Sequence, residues 1–386
     1  MLSGGGARGA YEAGVLCYAF GELAKLQPEA KYDIVCATSV GAVNGTFLAG
    51  AAHDPRAGLE KLCEIWAGLE LEHVLRFGVR QAVGLHRVLL GGSTARGIFD
   101  ARPLADLVGR AIPWRRVPRN LRAGRLRALT VTATHVSTGH PVVFVDRSPE
   151  TALPTGLPRG VVVRGEHILP QHVLASASIP LVFPPVRIRS DLYCDGGLRL
   201  NTPMSPAVHL GADRLLVVTV SSPGDAVPGV AAGRFPGAPF LLGKVLNAFL
   251  LDHVHTDLDE LWRINRLLED GLAAFGPSFV DRVNERALRR GDSPRRIVRS
   301  LAIHPSVDLG RIAGDHLRAH RTRFGRTLGR GFLRLLDLGE GADSDLASYL
   351  LFDGQFARRL MDLGRADAQA RRDELAEFLR APDTLR

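Results

Sequence analysis

The chain has 386 residues, 46% of them apolar, and can bury a sizeable core as one large domain or two small ones. Its formal charge is +9, but only four of its 49 basic residues are lysines, which indicates GC-rich coding and does not predict a nucleic-acid partner. No stretch reaches the roughly 18 apolar residues of a membrane span and no signal peptide is seen, so we expect a cytoplasmic protein with at most peripheral contact with anionic membranes.

Four cysteines are spread along the chain without C-x-x-C spacing: Cys17, Cys36, Cys63 and Cys194. This distribution indicates small buried apolar residues in a reducing compartment. Histidine, cysteine and carboxylate side chains form no cluster with the spacing of metal ligands. We therefore expect no metal and no cofactor, and no dependence on calcium.

The first predicted element is a glycine cluster, "MLSGGGARGAYEAG", that leads into a helix predicted over Ala10–Leu26. Gly4, Gly6 and Gly9 satisfy the G-x-G-x-x-G pattern of dinucleotide-binding turns. That fold needs an acidic residue at the far end of the second strand, whereas Asp33 lies at its start, so the dinucleotide interpretation is rejected. Consecutive glycines before a helix still expose backbone N–H groups, which stabilise a phosphate or a reaction oxyanion.

A second motif, "CATSVGAVNG", joins a strand predicted over Ile34–Ala37 to a helix predicted over Val40–Ala51. Ser39 stands at this sharp turn, where a serine projects its hydroxyl outward and its neighbours must be small. Four residues flank the serine in this elbow: Ala37, Thr38, Val40 and Gly41. Alanine replaces the first glycine of the usual G-x-S-x-G pattern. The residues alone leave two interpretations open, a nucleophilic serine and a serine that caps the helix.

Further strands and helices alternate along the chain. Apolar runs predict four more buried parallel strands: Ala128–Ala133, Val142–Val145, Leu215–Val220 and Leu301–His304. Three more helices are predicted over Pro55–Leu69, Leu242–Leu268 and Ala366–Leu379, and a loop over Ser221–Pro239. Residues 76–97 are a poorly patterned insertion that we interpret as a candidate lid. The alternation predicts an α/β fold with a mostly parallel sheet.

The third motif is "YCDGGLRLNTP", residues 193–203, in which Asp195 ends a short apolar stretch and precedes Gly196 and Gly197. Asp-Gly is a common turn dipeptide, so an ordinary turn is one interpretation. Two flanking segments favour a functional role, "SASIPLVFPPV" at 176–186 and "NTP" at the far side.

In this order, the three motifs resemble those of the patatin-like phospholipase family of acyl hydrolases. "SGGGARGAYEAGVL" is similar to the family's oxyanion-hole loop and first helix, and "ATSVGAVNG" to its nucleophile elbow. "YCDGGLRLNTPMSPAVHLGADRLLVV" is similar to its final core block with the catalytic aspartate. The resemblance implies a three-layer α/β/α fold with a mostly parallel central sheet. Near the C-terminus, "LLFDGQFARRLMDLGRADA" also resembles bacterial members.

The resemblance assigns a role to each motif. Ser39 is the nucleophile and Asp195 is its base, in a dyad without histidine. The oxyanion loop comprises Gly4, Gly5, Gly6 and Arg8, and the acid motif adds Gly196 and Gly197. A triad would instead need a histidine after the acid, and the candidates are His209, His253, His255 and His304, none of which lies in a glycine-flanked loop. An aspartate can accept the serine proton directly when it lies within hydrogen-bond reach.

These roles lead to an expected function and organisation. We expect a patatin-like phospholipase domain over residues 1–310 and a C-terminal helical extension over residues 311–386. The expected reaction is hydrolysis of lipid or phospholipid acyl esters through an acyl-enzyme on Ser39. The alternatives are a transacylase on the same esters and a catalytically silent, lipid-binding regulatory protein. Because the family's glycine loop follows a strand, we also expect about five or six apolar residues directly upstream of Ser3.

Overall fold

The computed structural model describes residues 1–27, 30–75, 99–221, 254–327 and 345–380. The candidate lid at residues 76–97 lies outside the described residues. So do the predicted loop from residue 222 onward and the first part of the helix predicted over Leu242–Leu268.

The described part of the chain contains eight strands. In chain order they are β1 Ile34–Thr38, β2 Ala128–His135, β3 Pro141–Arg147, β4 Val162–Gly165, β5 Val186–Ile188, β6 Asp191–Asp195, β7 Arg214–Val218 and β8 Arg299–Ile303. All five strands predicted from apolar runs are present, with ends that differ by at most two residues. Strands β4, β5 and β6 were not predicted, and β4 and β5 are each only three or four residues long and partly exposed.

The described helices are the following: α1 Gly9–Leu16, α2 Val40–Ala51, α3 Pro55–Ala67, α4 Arg102–Ala111, α5 Val117–Arg122, α6 Pro170–Ser176, α7 Met204–His209, α8 Val254–Phe275, α9 Ser278–Arg289, α10 Leu309–Ala319, α11 Arg321–Thr327, α12 Asp345–Leu350, α13 Gly354–Ala370 and α14 Arg372–Arg380. The helix predicted over Ala10–Leu26 is α1 continued by a π-helical turn over Cys17–Glu22. The helix predicted over Ala366–Leu379 is divided between α13 and α14.

The centre of the sheet is parallel. Strand β1 pairs in parallel with β2, and β7 pairs in parallel with β8. Leu2 bridges Ala37 of β1 and Val218 of β7, parallel to both, and so joins these two pairs. Beyond this centre, β3 and β6 pair antiparallel with β2, β4 pairs with β3, and β5 pairs with β6. The predicted α/β fold with a mostly parallel central sheet is confirmed. The parallel direction predicted for Val142–Val145 was wrong, because this strand is β3 and runs antiparallel to β2, and the antiparallel β6 was not predicted.

Met1 and Leu2, the residues just before the glycine loop, lie within the sheet. Leu2 N–H donates to the Cys36 carbonyl at 3.0 Å, and Val218 N–H donates to the Met1 carbonyl at 3.0 Å. These two residues therefore occupy a strand position between β1 and β7. Because parallel strands end at the same edge of a sheet, the glycine loop emerges beside the carboxyl end of β1. The expected strand upstream of Ser3 stays a prediction.

Helices cover both faces of the sheet, which confirms the three-layer arrangement. Alternate side chains of a strand point to opposite faces, and Ala37 and Cys36 accordingly belong to two separate apolar cores. The core on the Ala37 side includes residues of α1, α2, α3 and α13. The core on the Cys36 side includes Met204 of α7 and Leu258 of α8.

The helices after residue 310 share the larger of these cores. Helix α13 crosses α1 so closely that a side chain at Gly14 would overlap the Met361 carbonyl, and one at Gly364 would overlap the Tyr11 carbonyl. Tyr11 Oη also donates to Asp367 at 3.0 Å. The division of the chain at residue 310 stays a prediction, but the two parts are packed together through small residues.

All four cysteines are buried, as expected. Cys17 and Cys63 face each other with their sulfur atoms in contact and their Cα atoms 7.7 Å apart, whereas Cys36 and Cys194 are free. The first pair lies between the π-helical turn after α1 and helix α3, a proximity that the sequence spacing did not predict. Among the described helices, none is long and apolar enough to cross a bilayer.

Candidate active site

Two strands bring the serine and the aspartate together. Strand β1 runs along the first part of β2, where Thr38 pairs with Thr132, and β6 runs in the opposite direction along its last part, where Asp195 pairs with Ala133. The carboxyl ends of β1 and β6 therefore meet head to head beside β2. Ser39 directly follows β1, and Asp195 is the last residue of β6, so the register of β2 places these two residues side by side.

Ser39 lies at a strained turn between β1 and α2. Its φ of 56° is in the left-handed region, which non-glycine residues adopt at a cost of about 1–3 kcal/mol and mainly at functional sites. Its N–H donates to Ser176 Oγ at 2.8 Å, and Ser176 Oγ donates to the Thr132 carbonyl at 2.5 Å. Although Ser39 occupies the N-cap position of α2, its side chain makes no capping bond. The interpretation of Ser39 as a helix cap is therefore not supported.

The Ser39 hydroxyl donates instead to Asp195 Oδ2 at 2.6 Å. The other carboxylate oxygen, Oδ1, accepts from Gly197 N–H at 2.7 Å. Both side chains are buried, and burial raises the pKa of Asp195 from 3.8 to about 7, although the hydrogen bonds from Ser39 and Gly197 oppose this rise. At neutral pH the carboxyl group is thus close to balanced between its two protonation states. A group with this property can both accept and return a proton.

Glycine is required at two positions of the motifs around the dyad. A side chain at Gly196 would overlap the Thr132 carbonyl of β2, and one at Gly41 would overlap the carbonyls of Leu2 and Ser3. The Asp-Gly turn predicted from sequence is present, since Asp195 accepts from Gly197, but the same carboxylate also holds the serine.

The glycine loop lies directly beside Ser39. A Cβ atom built on Gly4 would come within 2.9 Å of Ser39 Cβ, and Gly4 N–H donates to Asn201 Oδ1 at 2.9 Å. Gly6 adopts a φ of 56° and lies against the Tyr349 carbonyl, while Gly5 lies against the side chain of Val220. The loop is therefore held between the elbow and the C-terminal helices, and a side chain at any of the three glycines would displace it.

The fourth loop residue, Arg8, turns its guanidinium toward the C-terminal helices. Its side chain is 2% exposed, and Nε donates to Ser348 Oγ at 2.8 Å. The guanidinium also lies 4.2 Å above the ring of Tyr349 and 3.5 Å from Asp345. These contacts tie the end of the glycine loop to α12.

A buried polar network supports the elbow from behind, and sequence reasoning missed it. Asn44 Nδ2 donates to Glu12 Oε2 at 2.9 Å and to the Gly9 carbonyl at 3.0 Å, while Trp66 Nε1 donates to Asn44 Oδ1 at 3.0 Å. Burial raises the pKa of Glu12 to about 8. The network fixes α2 against α1 and α3. Asn44 and Glu12 both lie inside the recognised motifs, but nothing in their spacing indicates that they would meet.

The histidines considered for a triad lie elsewhere, as far as their side chains are described. His209 Nδ1 lies 2.8 Å from the Ser205 carbonyl, and His304 Nδ1 lies 3.5 Å from the Pro305 carbonyl. His253 and the side chain of His255 are outside the described part of the chain. Over the described ranges, no group of three or more His, Cys, Asp or Glu residues could hold a metal ion.

An apolar cavity of about 70 Å³ lies beside Ser39 and is partly open to solvent. Its walls come from the elbow and helix α2, from α3 and α4, and from segments on either side of the dyad. The lining also includes Gly6, Val40, Ala177, Ile179, Leu350 and Phe352. Leu350 and Phe352 follow the predicted boundary at residue 310, so the C-terminal part of the chain completes the cavity.

The structure thus defines an α/β/α protein with a serine at a strand-to-helix turn. The family model of patatin-like phospholipase matches residues 1–208, more than half of the chain. The chain therefore belongs to the patatin-like phospholipase family, whose members are hydrolases of lipid acyl esters.

A search of curated proteins found no match. Among solved structures, VipD from Legionella pneumophila is similar, with 12% sequence identity and a TM-score of 0.31, over 94% of this chain. This chain spans 66% of the length of that one.

The position of Gly5 allows a test of the loop. We expect Gly5→Ala to lower kcat by about 10- to 100-fold, because the new methyl group overlaps Val220 Cγ2 and displaces the loop whose backbone N–H groups are the expected oxyanion donors. Val220→Ala removes the overlapping atom, so the double variant should recover most of the lost turnover. Steady-state kinetics of all three variants on a soluble ester measure this. A double variant no faster than Gly5→Ala would contradict the proposed role of the loop position.

Proposed function

We propose that this protein is a serine acyl hydrolase that cleaves lipid acyl esters through a Ser39–Asp195 dyad. The observation that carries the proposal is the 2.6 Å hydrogen bond from the Ser39 hydroxyl to a buried carboxyl group with a pKa of about 7. A nucleophile needs an acceptor for its proton within hydrogen-bond reach, and the best acceptor has a pKa near the working pH. Asp195 meets both conditions without histidine.

In the proposed acylation step, Asp195 Oδ2 takes the hydroxyl proton while Ser39 Oγ attacks the carbonyl carbon of the ester. The tetrahedral intermediate collapses, the bond to the alcohol breaks, and Asp195 returns the proton to the leaving oxygen. In deacylation, Asp195 takes a proton from water as the water oxygen attacks the acyl-enzyme. Collapse of the second intermediate releases the fatty acid and returns the proton to Ser39. Asp195 ends each half-reaction as it began.

The glycine loop is the proposed source of oxyanion stabilisation. Gly4 N–H is already bonded to Asn201, so Gly5 and Gly6 are the donors that we assign to the developing negative charge. Removing one such donor typically costs about 3 kcal/mol of barrier. Arg8 acts in this scheme as a positioning residue, because its guanidinium contacts α12 and holds the loop in place.

The cavity and the net charge support a lipid substrate. An apolar space beside Ser39 fits an acyl chain better than it fits a peptide or a sugar. The formal charge of +9 favours peripheral attraction to anionic membranes, where each basic group near the surface contributes about 1 kcal/mol.

Product analysis separates hydrolysis from the alternatives. The purified protein is incubated with phospholipid vesicles, with and without a soluble alcohol acceptor such as glycerol, and Ser39→Ala serves as the control. We expect free fatty acid from the wild type in both cases and none from the variant. Acyl glycerol as the main product in the presence of the acceptor would instead support a transacylase. Lipid binding with no product in either case would support the silent regulatory protein.

A further inference from the structure

The apolar cavity is built from three helical faces. Residues spaced three or four apart on a helix lie on one face, and α2, α3 and α4 each contribute such a row. The rows are Val40, Val43, Asn44 and Phe47 on α2; Leu62, Ile65 and Trp66 on α3; Leu104, Leu107, Val108 and Ala111 on α4. The α2 row begins beside Ser39, so a chain that enters there can follow this helix along the wall of the cavity.

The side chains of this wall are apolar apart from Ser39, Asn44 and the indole N–H of Trp66, and these three already have hydrogen-bond partners. Asn44 donates to Glu12 and to the Gly9 carbonyl, and it accepts from Trp66. The Ser39 hydroxyl donates to Asp195. A polar head group placed along these rows would lose its water and find few replacement partners, at a cost of several kcal/mol, whereas a hydrocarbon chain would lose no hydrogen bonds. The acyl chain, and not the head group, is the part of a lipid that fits here.

The far end of the cavity is closed by tight packing. One turn beyond Phe47 on α2, Gly50 lies so close to Pro113 that no side chain would fit between them. Ala51 lies equally close to Gly58 near the start of α3. Since Pro113 follows α4, all three helices converge at this level. Phe47 is thus the last α2 side chain that borders open space.

The length of the space follows from helix geometry. Phe47 comes eight residues after Ser39 on α2, which corresponds to about 12 Å along the axis. Carbon–carbon bonds of about 1.5 Å advance an extended chain by about 1.3 Å per carbon, so about nine carbons cover this length. We propose that the cavity binds a single medium-length acyl chain, of about eight to ten carbons, whose methyl end contacts Phe47. Phe47 would then determine the chain-length preference.

This inference rests on the proposed function, and its test uses a series of p-nitrophenyl esters from butyrate through octanoate and decanoate to palmitate. We expect kcat/KM of the wild type to be highest at octanoate or decanoate. Phe47→Ala opens the far end, so the optimum should move to longer chains by about two to four carbons. Val43→Phe fills the middle of the row and should move the optimum to butyrate or hexanoate. Phe47→Leu gives a milder shift in the same direction as alanine and serves if Phe47→Ala does not fold.

Phe324→Ala is the matched control, because Phe324 is equally buried but does not border the cavity. Its chain-length profile should equal that of the wild type even if its thermal stability falls. Profiles that stay unchanged in folded Phe47 and Val43 variants would overturn the chain-length inference while leaving the hydrolase proposal intact. A wild-type protein that hydrolyses no ester of the series, butyrate included, would overturn the proposed function and the inference with it.

Discussion

Ser39→Ala is expected to lower kcat for ester hydrolysis by about four to six orders of magnitude. The variant loses the oxygen that forms the acyl-enzyme, and such losses in serine hydrolases reach about 10⁶-fold. Binding of the substrate should persist, because the apolar cavity is unchanged. The measurement is kcat for a soluble octanoate ester, with Ser148→Ala as the control. Ser148 is also buried, and its hydroxyl contacts Thr151.

The dyad also predicts non-additivity. Ser39→Ala combined with Asp195→Asn should be no slower than Ser39→Ala alone, because the two residues act as one unit. A folded Ser39→Ala protein that keeps more than about a tenth of wild-type kcat would remove this serine from the mechanism, since a single lost nucleophile costs far more than that.

Asp195→Asn should lower kcat/KM by about three to four orders of magnitude. An amide of the same shape accepts from Gly197 but cannot take the serine proton. For the wild type, only the ionised carboxylate is active, so kcat/KM should fall tenfold per pH unit below about pH 7 and level off above it. This acid limb should be absent from the residual activity of the variant. His209→Ala and His304→Ala should keep both the wild-type rate and the limb.

The same substitution has an expected effect on stability. The folded protein binds the Asp195 proton more tightly than the unfolded chain does, so ionisation of this group lowers the free energy of unfolding as the pH rises from 3.8 to about 7. That difference in pKa corresponds to about 4 kcal/mol. Asp195→Asn should therefore be more stable than the wild type at pH 8, and the gap should narrow toward pH 4. Chemical denaturation of both proteins at the two pH values measures it. A variant that is less stable at pH 8 would contradict the buried, ionised base.

The local parts of the site could be predicted from the sequence because each depends on a short stretch. An apolar strand that runs into small residues predicts the turn at Ser39, and the paired glycines predict the turn after Asp195. Five of the eight described strands were located for the same reason. The contacts that join these stretches are less local. The antiparallel pairing of β6 with β2 depends on three residue pairs separated by about sixty positions in the chain. Short strands such as β6 also carry little periodicity, so their pairing cannot be predicted from the sequence.

Contacts across the whole chain were beyond sequence reasoning. Arg8 meets Ser348, which is 340 residues away, and Leu350 and Phe352 complete a cavity that begins at Ser39. No periodic pattern marks a residue as the partner of another so distant in the chain. The sequence did not predict the buried network of Glu12 and Asn44 either. Both residue types are ordinarily exposed, and only the packing of the folded chain shows that these two are buried.

Covalent labelling with a fluorophosphonate tests the dyad most directly. The probe forms a stable adduct only where a serine can lose its proton and the tetrahedral product is stabilised, so it reports nucleophile, base and oxyanion site together. We expect one adduct, on the peptide that contains Ser39, with a labelling rate that rises with pH to a plateau above about pH 7. Labelling should be lost in Ser39→Ala and strongly slowed in Asp195→Asn. An adduct on another serine, or a folded wild-type protein that takes no label even with anionic vesicles present, would contradict the Ser39–Asp195 dyad.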